Sequence, residues 1–197
     1  MKITIISVIA IVIVVLLAQV YSTMSTEKTE QHKYQVLKTY DNVEIRKYEP
    51  AIFSSVKMRS KTYEESSGKG FRVLAGYIFG GNKSNEAIAM TSPVTMELGE
   101  TMTMKFMVPK GYDMNSLPEP NDKNITFEQQ PEKIIAAIRF DGWASDEKIE
   151  QHISLLRDAL AKAGIKHTNT FSYLGYNPPY EVINRRNEVV VDVIEYP

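Results

Sequence analysis

At 197 residues the chain has room for one domain of ordinary size plus a tail. Its 23 basic and 24 acidic side chains leave a formal net charge of −1, which excludes a nucleic-acid binder steered by bulk charge. There is no cysteine, so disulfides, thiolate catalysis, zinc ribbons and iron–sulfur clusters are excluded together.

The first predicted element is "ITIISVIAIVIVVLLAQV", residues 3–20, in which only Thr4, Ser7 and Gln19 are polar. At ~1.5 Å per residue this helix would measure roughly 27 Å, close to the ~30 Å hydrocarbon core of a bilayer. Uniform Ile and Val without amphipathicity argue against a buried core helix, and Lys2 favours a cytoplasmic amino terminus with the remainder translocated. An uncleaved anchor and a signal peptide cut near Val20–Ser22 both fit; the length of the run favours the anchor. The reading is therefore a membrane anchor or signal peptide over 1–22, a polar linker over 23–33 and a folded domain over 34–197. The domain is expected outside the cytoplasm, periplasmic or extracellular, tethered through residues 3–20 and secreted if the segment is cleaved.

Beyond Tyr34 the chain reads strand-rich. "VEIRKYEPAIFSSVKMR" carries strand signals on both sides of Pro50, with Ile52, Val56 and Met58 on one face by period-2 spacing. An apolar periodic segment, Phe71 to Phe79, then precedes Gly80-Gly81-Asn82. A phosphate cradle needs glycines after a strand and before a helix start. Here they follow the helix, so they predict a C-cap and turn. At 100° per residue, Phe71, Leu74, Ala75 and Ile78 form one apolar stripe that Val73 and Tyr77 widen. Its arc is about twice the ~100° that a half-buried helix needs, so the surplus is either covered by the protein itself or left lining a groove.

"MTMKFMVP" alternates as a strand, and "KIIAAIRF" and "EVVVDVIEY" predict two more. Between those two, Ser145 is a predicted N-cap, Asp146 and Glu147 suit the helix start, and Gly164 ends the helix. Ile149, Ile153, Leu156, Leu160 and Ala163 form its stripe. Pro50 and Pro131 each open a strand–helix–strand order, which predicts two similar halves packed around one core.

Several strings resemble the SOUL heme-binding family: "YDNVEIRKYEP", "YIFGGNKSNEAIAMTSPVTM", "FMVP", "FDGWAS" and "GYNPPYEVINRRNEVVV", in the family's order from Tyr34 to Val193. The last is specific; the others convince together. The resemblance implies an α+β fold: a distorted antiparallel β-barrel with two helices and an internal two-fold pseudo-repeat, as in effector-binding domains. It also implies an apolar groove beside the first helix that holds heme or another flat tetrapyrrole, with Phe71, Leu74, Ala75 and Ile78 against the macrocycle. At the positions where heme-binding animal members carry basic side chains this chain has Gly68, Gly76 and Glu181; Lys69, Arg72 or Lys83 would replace them. Arg72 and Arg185 are the candidate partners of the propionates, and Arg185 or Arg186 is alternatively an ion-pair tie within the barrel.

A methionine thioether can ligate heme iron, which makes Met90 and Met96 candidates, although methionine more often fills core volume. His32 in the linker, His152 at a stripe edge and His167 in a turn lie off the groove helix and lack metal-site spacing. Trp143 after "FDG" reads as a core or corner anchor. No "GxSxG", "HExxH" or P-loop is present. The functional expectation is thus non-enzymatic binding of heme, or of another tetrapyrrole or flat apolar small molecule, by a monomeric domain without nucleic-acid contact. Two alternatives keep the fold: a module for general small apolar ligands without heme, and an enzyme acting on such a ligand through a residue such as Tyr77.

Overall fold

The structure, a computed structural model, describes residues 29–196 and, before them, Val14 alone, so the expected anchor over 3–20 lies outside the described residues apart from that position. Among the described residues no helix is long and apolar enough to cross a membrane. The elements in chain order are β1 (Glu30–Gln31), β2 (Tyr34–Tyr40), β3 (Val43–Tyr48), β4 (Ala51–Met58), α1 (Tyr63–Ile78), β5 (Thr91–Ser92), β6 (Val94–Glu97), β7 (Met102–Met107), β8 (Ile125–Gln130), β9 (Lys133–Asp141), α2 (Asp146–Ala163), β10 (Lys166–Gly175) and β11 (Arg186–Glu195).

Nine strands form one antiparallel sheet in the order β2-β3-β9-β11-β10-β6-β7-β4-β8. The expected two-fold repeat is written in that order. From the central β10–β6 pair outward, β11-β9-β3 on one side mirrors β7-β4-β8 on the other. Strand β3 precedes β4 in the chain yet pairs with β9, while β8 precedes β9 yet pairs with β4. The halves therefore exchange their first strands across Pro50 and Pro131. The α+β class, the two helices and the duplication are as expected. The barrel is not closed: β2 and β8 end the sheet, and no described pairing joins them.

Side-chain alternation divides the sheet into two faces. One carries the main core, where Val56, Met104, Phe106, Ala136, Ile138, Phe171, Val189 and Val191 meet both helices. The other carries a smaller cluster of Tyr48, Ile135, Ala137, Leu174, Tyr176 and Val190. The helices pack on opposite halves, α1 on β4 and β7, α2 on β9, β10 and β11. In α2, Ser145 accepts from the Lys148 N–H at 3.3 Å and Gly164 closes the helix at φ 67°, as predicted; Ala163, placed on its stripe from the sequence, is exposed.

The predicted linker ends earlier than Lys33. Glu30 and Gln31 pair in parallel with β5, and the His32 N–H donates to the Ser92 carbonyl at 3.1 Å. Short as it is, this strand forms with β5 a two-stranded sheet separate from the main one, which fastens the chain's entry beside β6.

Candidate functional site

Helix α1 starts eight residues before its predicted apolar segment. Ser66, Ser67, Gly68 and Gly70 are weak helix formers, and the amino end is held by capping from two sources. Thr62 accepts from the Glu65 N–H at 3.3 Å, and the Asp146 carboxylate, on the first residue of α2, accepts from the Tyr63 and Glu64 N–H groups at 2.6 and 3.2 Å. At the other end Gly80 stands at φ 101°, and the Gly81 N–H returns to the Gly76 carbonyl at 2.9 Å. A Cβ on Gly81 would lie 2.5 Å from that carbonyl oxygen, so the glycine pair is the stop that the sequence indicated.

The surplus apolar arc of α1 is covered by the protein itself. Leu74, Ala75, Tyr77 and Ile78 are buried in the main core, Leu74 completely. Strands β4 and β7 take one side of the arc. The other is covered by segments that look polar in the sequence. The Ile88 N–H donates to the Ile78 carbonyl at 2.8 Å, the Tyr77 hydroxyl donates to the Pro118 carbonyl at 3.0 Å, and Phe127 stands 5.6 Å from the Tyr77 ring. The open groove expected beside Leu74, Ala75 and Ile78 is thus replaced by core packing. Burial pushes the Tyr77 hydroxyl up to about 12, so at neutral pH it is a bound donor and offers no base.

A different face of α1 stays open. Gly68, Lys69, Phe71, Arg72, Gly76 and Phe79 are exposed, Phe71 by 38 % and Phe79 by 70 %. At 100° per residue Gly68, Arg72, Gly76 and Phe79 fall within one narrow strip, with Phe71 at its edge. A Cβ at Gly68 or Gly76 would meet nothing within 4 Å. The strip is therefore flat for lack of side chains, carries phenyl rings near each end, and has Arg72 across it. Neither Arg72 nor Lys69 takes part in an ion pair among the described residues. Met90 lies half-buried against the main core, and Met96 is wholly within it.

Comparison with known proteins adds an independent observation. The family model described as SOUL heme-binding protein matches residues 29–192. The chain belongs to the SOUL heme-binding protein family. Heme-binding protein 2 of Mus musculus is 30 % identical over 155 residues, covering 74 % of this chain and 75 % of that one. Heme-binding protein 1 of Xenopus laevis is 29 % identical over 154 residues, covering 74 % and 80 %. Among solved structures, the C-terminal domain of EcmrR superposes with a TM-score of 0.61 at 12 % identity, over 83 % of this chain and 99 % of that one. An uncharacterized conserved protein from Listeria innocua does so at 0.60 and 9 % identity, over 77 % and 92 %. These two likenesses establish the fold alone.

In this SOUL chain the "RRNE" string has a structural assignment. Glu188, fully buried, accepts from Arg46 at 2.6 and 3.0 Å, from Arg186 at 2.7 and 2.9 Å and from the Tyr176 hydroxyl at 2.9 Å. Burial alone would push its carboxyl up, but the hydrogen bonds and charges of Arg46 and Arg186 outweigh that and hold it below the usual range. Arg186 is thus the tie that the sequence left open between two arginines. Arg185 is spent elsewhere: its guanidinium donates to the carbonyls of Pro178 and Glu181 at 2.9 and 2.6 Å and stacks on Trp143 at 4.1 Å. It fastens the β10–β11 loop and is not presented to the α1 strip as a propionate partner. Trp143 is the exposed support of that guanidinium rather than a core anchor.

The histidines are engaged locally. His32 meets the Tyr48 ring at a tilt and the Phe53 ring edge-on, with Nε2 2.7 Å from the Glu49 carbonyl. His152 stacks on Phe140 at 4.3 Å. Neither these nor His167 belongs to the α1 strip.

Proposed function

We propose that the domain binds heme or a related tetrapyrrole, without chemistry of its own, on the open strip of α1. The observation that carries the reading is the flat surface at Gly68 and Gly76 bounded by Phe71 and Phe79, on a chain whose named relatives are heme-binding proteins. A planar macrocycle would lie over the strip, leaving Arg72 and Lys69 to meet its carboxylates. One covered face of about 300 Å² at ~25 cal/mol per Å² returns roughly 7–8 kcal/mol, and the charge-assisted contacts of Arg72 and Lys69 offset the association costs, which places affinity in the micromolar range. No histidine stands on the strip, so its contacts are to the ring and the carboxylates rather than to iron. When bound, the heme would supply the site's colour and redox chemistry; the chain's own groups supply only the apolar seat and the cations.

Hemin titration of the full-length chain tests this. A Soret shift that saturates at micromolar hemin and weakens in Arg72→Glu is expected. Absence of any shift below about 10 μM overturns it. The reading without heme predicts instead that another apolar ligand co-purifies, which mass spectrometry of the native protein would detect. The tether over residues 3–20, with the domain outside the cytoplasm, belongs to the same proposal and rests on the uniform apolarity of that run and on Lys2.

A further inference from the structure

The sheet face turned away from both helices holds a cleft of about 290 Å³ that the heme reading does not use. Its residues alternate with those of the main core. Phe53 of β4, Thr95 and Glu97 of β6, Lys105 of β7, Ser172 and Leu174 of β10 and Ile135 of β9 face it, while Met96, Met104, Tyr173 and Ala136, one residue away on the same strands, face the helices. Tyr48, Phe53, Ile135, Leu174 and Val190 make an apolar floor, and His32 helps to wall it.

The polar lining is unequal. Lys105, 8 % exposed, is held between Glu97 at 2.9 Å and Glu128 at 2.7 Å. Lys133 donates to both oxygens of Asp192, at 2.9 and 3.3 Å. Both ammonium groups are therefore committed to carboxylates of the protein: the lining sets Glu97 and Asp192 against Lys105 and Lys133, and Glu128, opposite Phe53 on the same face but outside the lining, adds a third carboxylate behind Lys105. Gln130 donates to Glu128 as well, at 2.8 Å. Burial lowers the His32 pKa and its Nε2 is engaged with the Glu49 carbonyl, so at neutral pH it brings no charge. Deeper on this face, Arg46, Arg186, Glu44 and Glu188 balance in pairs of opposite sign. An ionised carboxylate accepts at about four lone-pair sites, whereas an ammonium has three donors. The cleft thus has acceptor capacity left over and half-exposed carboxylates, Glu97 and Asp192, at which to use it.

We propose that this cleft is a second ligand site, for a compact primary amine with an apolar body. The ammonium would sit by Glu97, and the body would lie on the floor of Tyr48, Phe53, Leu174 and Val190. The volume corresponds to about ten water molecules, which suits a ligand of roughly ten non-hydrogen atoms. A tetrapyrrole is far too large, so the site is separate from the α1 strip and does not rest on the heme reading.

Calorimetric titration of the full-length chain with three probes of one size tests it: phenethylamine, phenethyl alcohol and phenylacetate. Phenethylamine is expected to bind at least about tenfold more tightly than the alcohol, the margin of one charge-assisted hydrogen bond, and phenylacetate more weakly than either. Glu97→Gln should bring the amine to the level of the alcohol. Ser172→Phe, which fills the cleft without altering a charge, should abolish binding of both while leaving hemin titration unchanged. Equal binding of the three probes, preference for phenylacetate, no binding of the amine, or amine binding that survives Ser172→Phe would each overturn the proposal.

Discussion

Glu188 is the residue on which the non-helical face of the sheet depends. It receives two guanidinium groups and a phenol while fully buried, so removing its charge leaves the buried Arg46 cation with the half-exposed Glu44 as its sole carboxylate partner among the described residues. Glu188→Gln is expected to lower stability by about 3–5 kcal/mol, read from the denaturant midpoint, whereas a surface carboxylate such as Glu132, paired with Lys47, should cost under about 1 kcal/mol. Because the folded pKa of Glu188 is depressed, its contribution is full above the unfolded value of 4.5 and is lost as pH falls through the lower folded value. Acid titration of stability should therefore be shallower in Glu188→Gln than in the parent. The opposite sign holds for the phenols. Tyr48 is pushed up to about 12, chiefly by burial, and Tyr176 well above 10, so their contribution is complete below pH 10 and is lost as pH rises from there through the folded values. The sequence showed the "RRNE" string but not which arginine was the tie. Arg185 lies in the loop just before β11 and Arg186 on its first position, and only the pairing of β3, β9 and β11 brings Arg46 beside Glu188.

At the scale of elements, Asp146 joins the two helices. It begins α2 and its carboxylate caps α1, whose first turns contain Ser66, Ser67, Gly68 and Gly70. Asp146→Ala is expected to cost about 1–2 kcal/mol and to accelerate amide exchange in α1 around residues 63–68 while leaving α2 beyond its first turn protected. Equal acceleration along both helices would contradict the cap. The capping residues of α2 were readable because N-cap and C-cap chemistry is local. Of the two caps of α1, that of Thr62 is equally local, three residues from Glu65, whereas that of Asp146 was not readable, since its donors and acceptor lie 83 and 82 positions apart. The arc of α1 was read correctly as too wide for one sheet, but which face is covered depends on Ile88, Pro118 and Phe127, which come from distant segments. Among the strands that the sequence pattern does not reveal, β2 and β10 have clear physical reasons. β2 is an edge strand whose middle residues are all exposed, leaving no buried alternation. β10 carries an irregular register between His167 and Phe171, which breaks the period that would reveal it.

For the whole molecule, exchange of β3 and β8 between the halves makes one cooperative body. The duplication was visible in the Pro50 and Pro131 spacing, whereas the exchange was not, because strand order is a property of pairing and not of local pattern. If residues 3–20 tether this body, full-length protein expressed in a bacterial host should sediment with membranes and stay there after carbonate washing; recovery in the soluble fraction with an intact amino terminus would exclude the tether. The central claim concerns the open face of α1, and it is tested most directly by comparing hemin titrations of the parent chain with those of Gly76→Glu. Nothing in the structure obstructs a side chain at that position, and replacing a helical glycine stabilises the helix by up to about 1 kcal/mol. The expected result is an apparent Kd for hemin raised at least about tenfold with Tm unchanged or higher; hemin binding of equal affinity in the two proteins would contradict the assignment of the site.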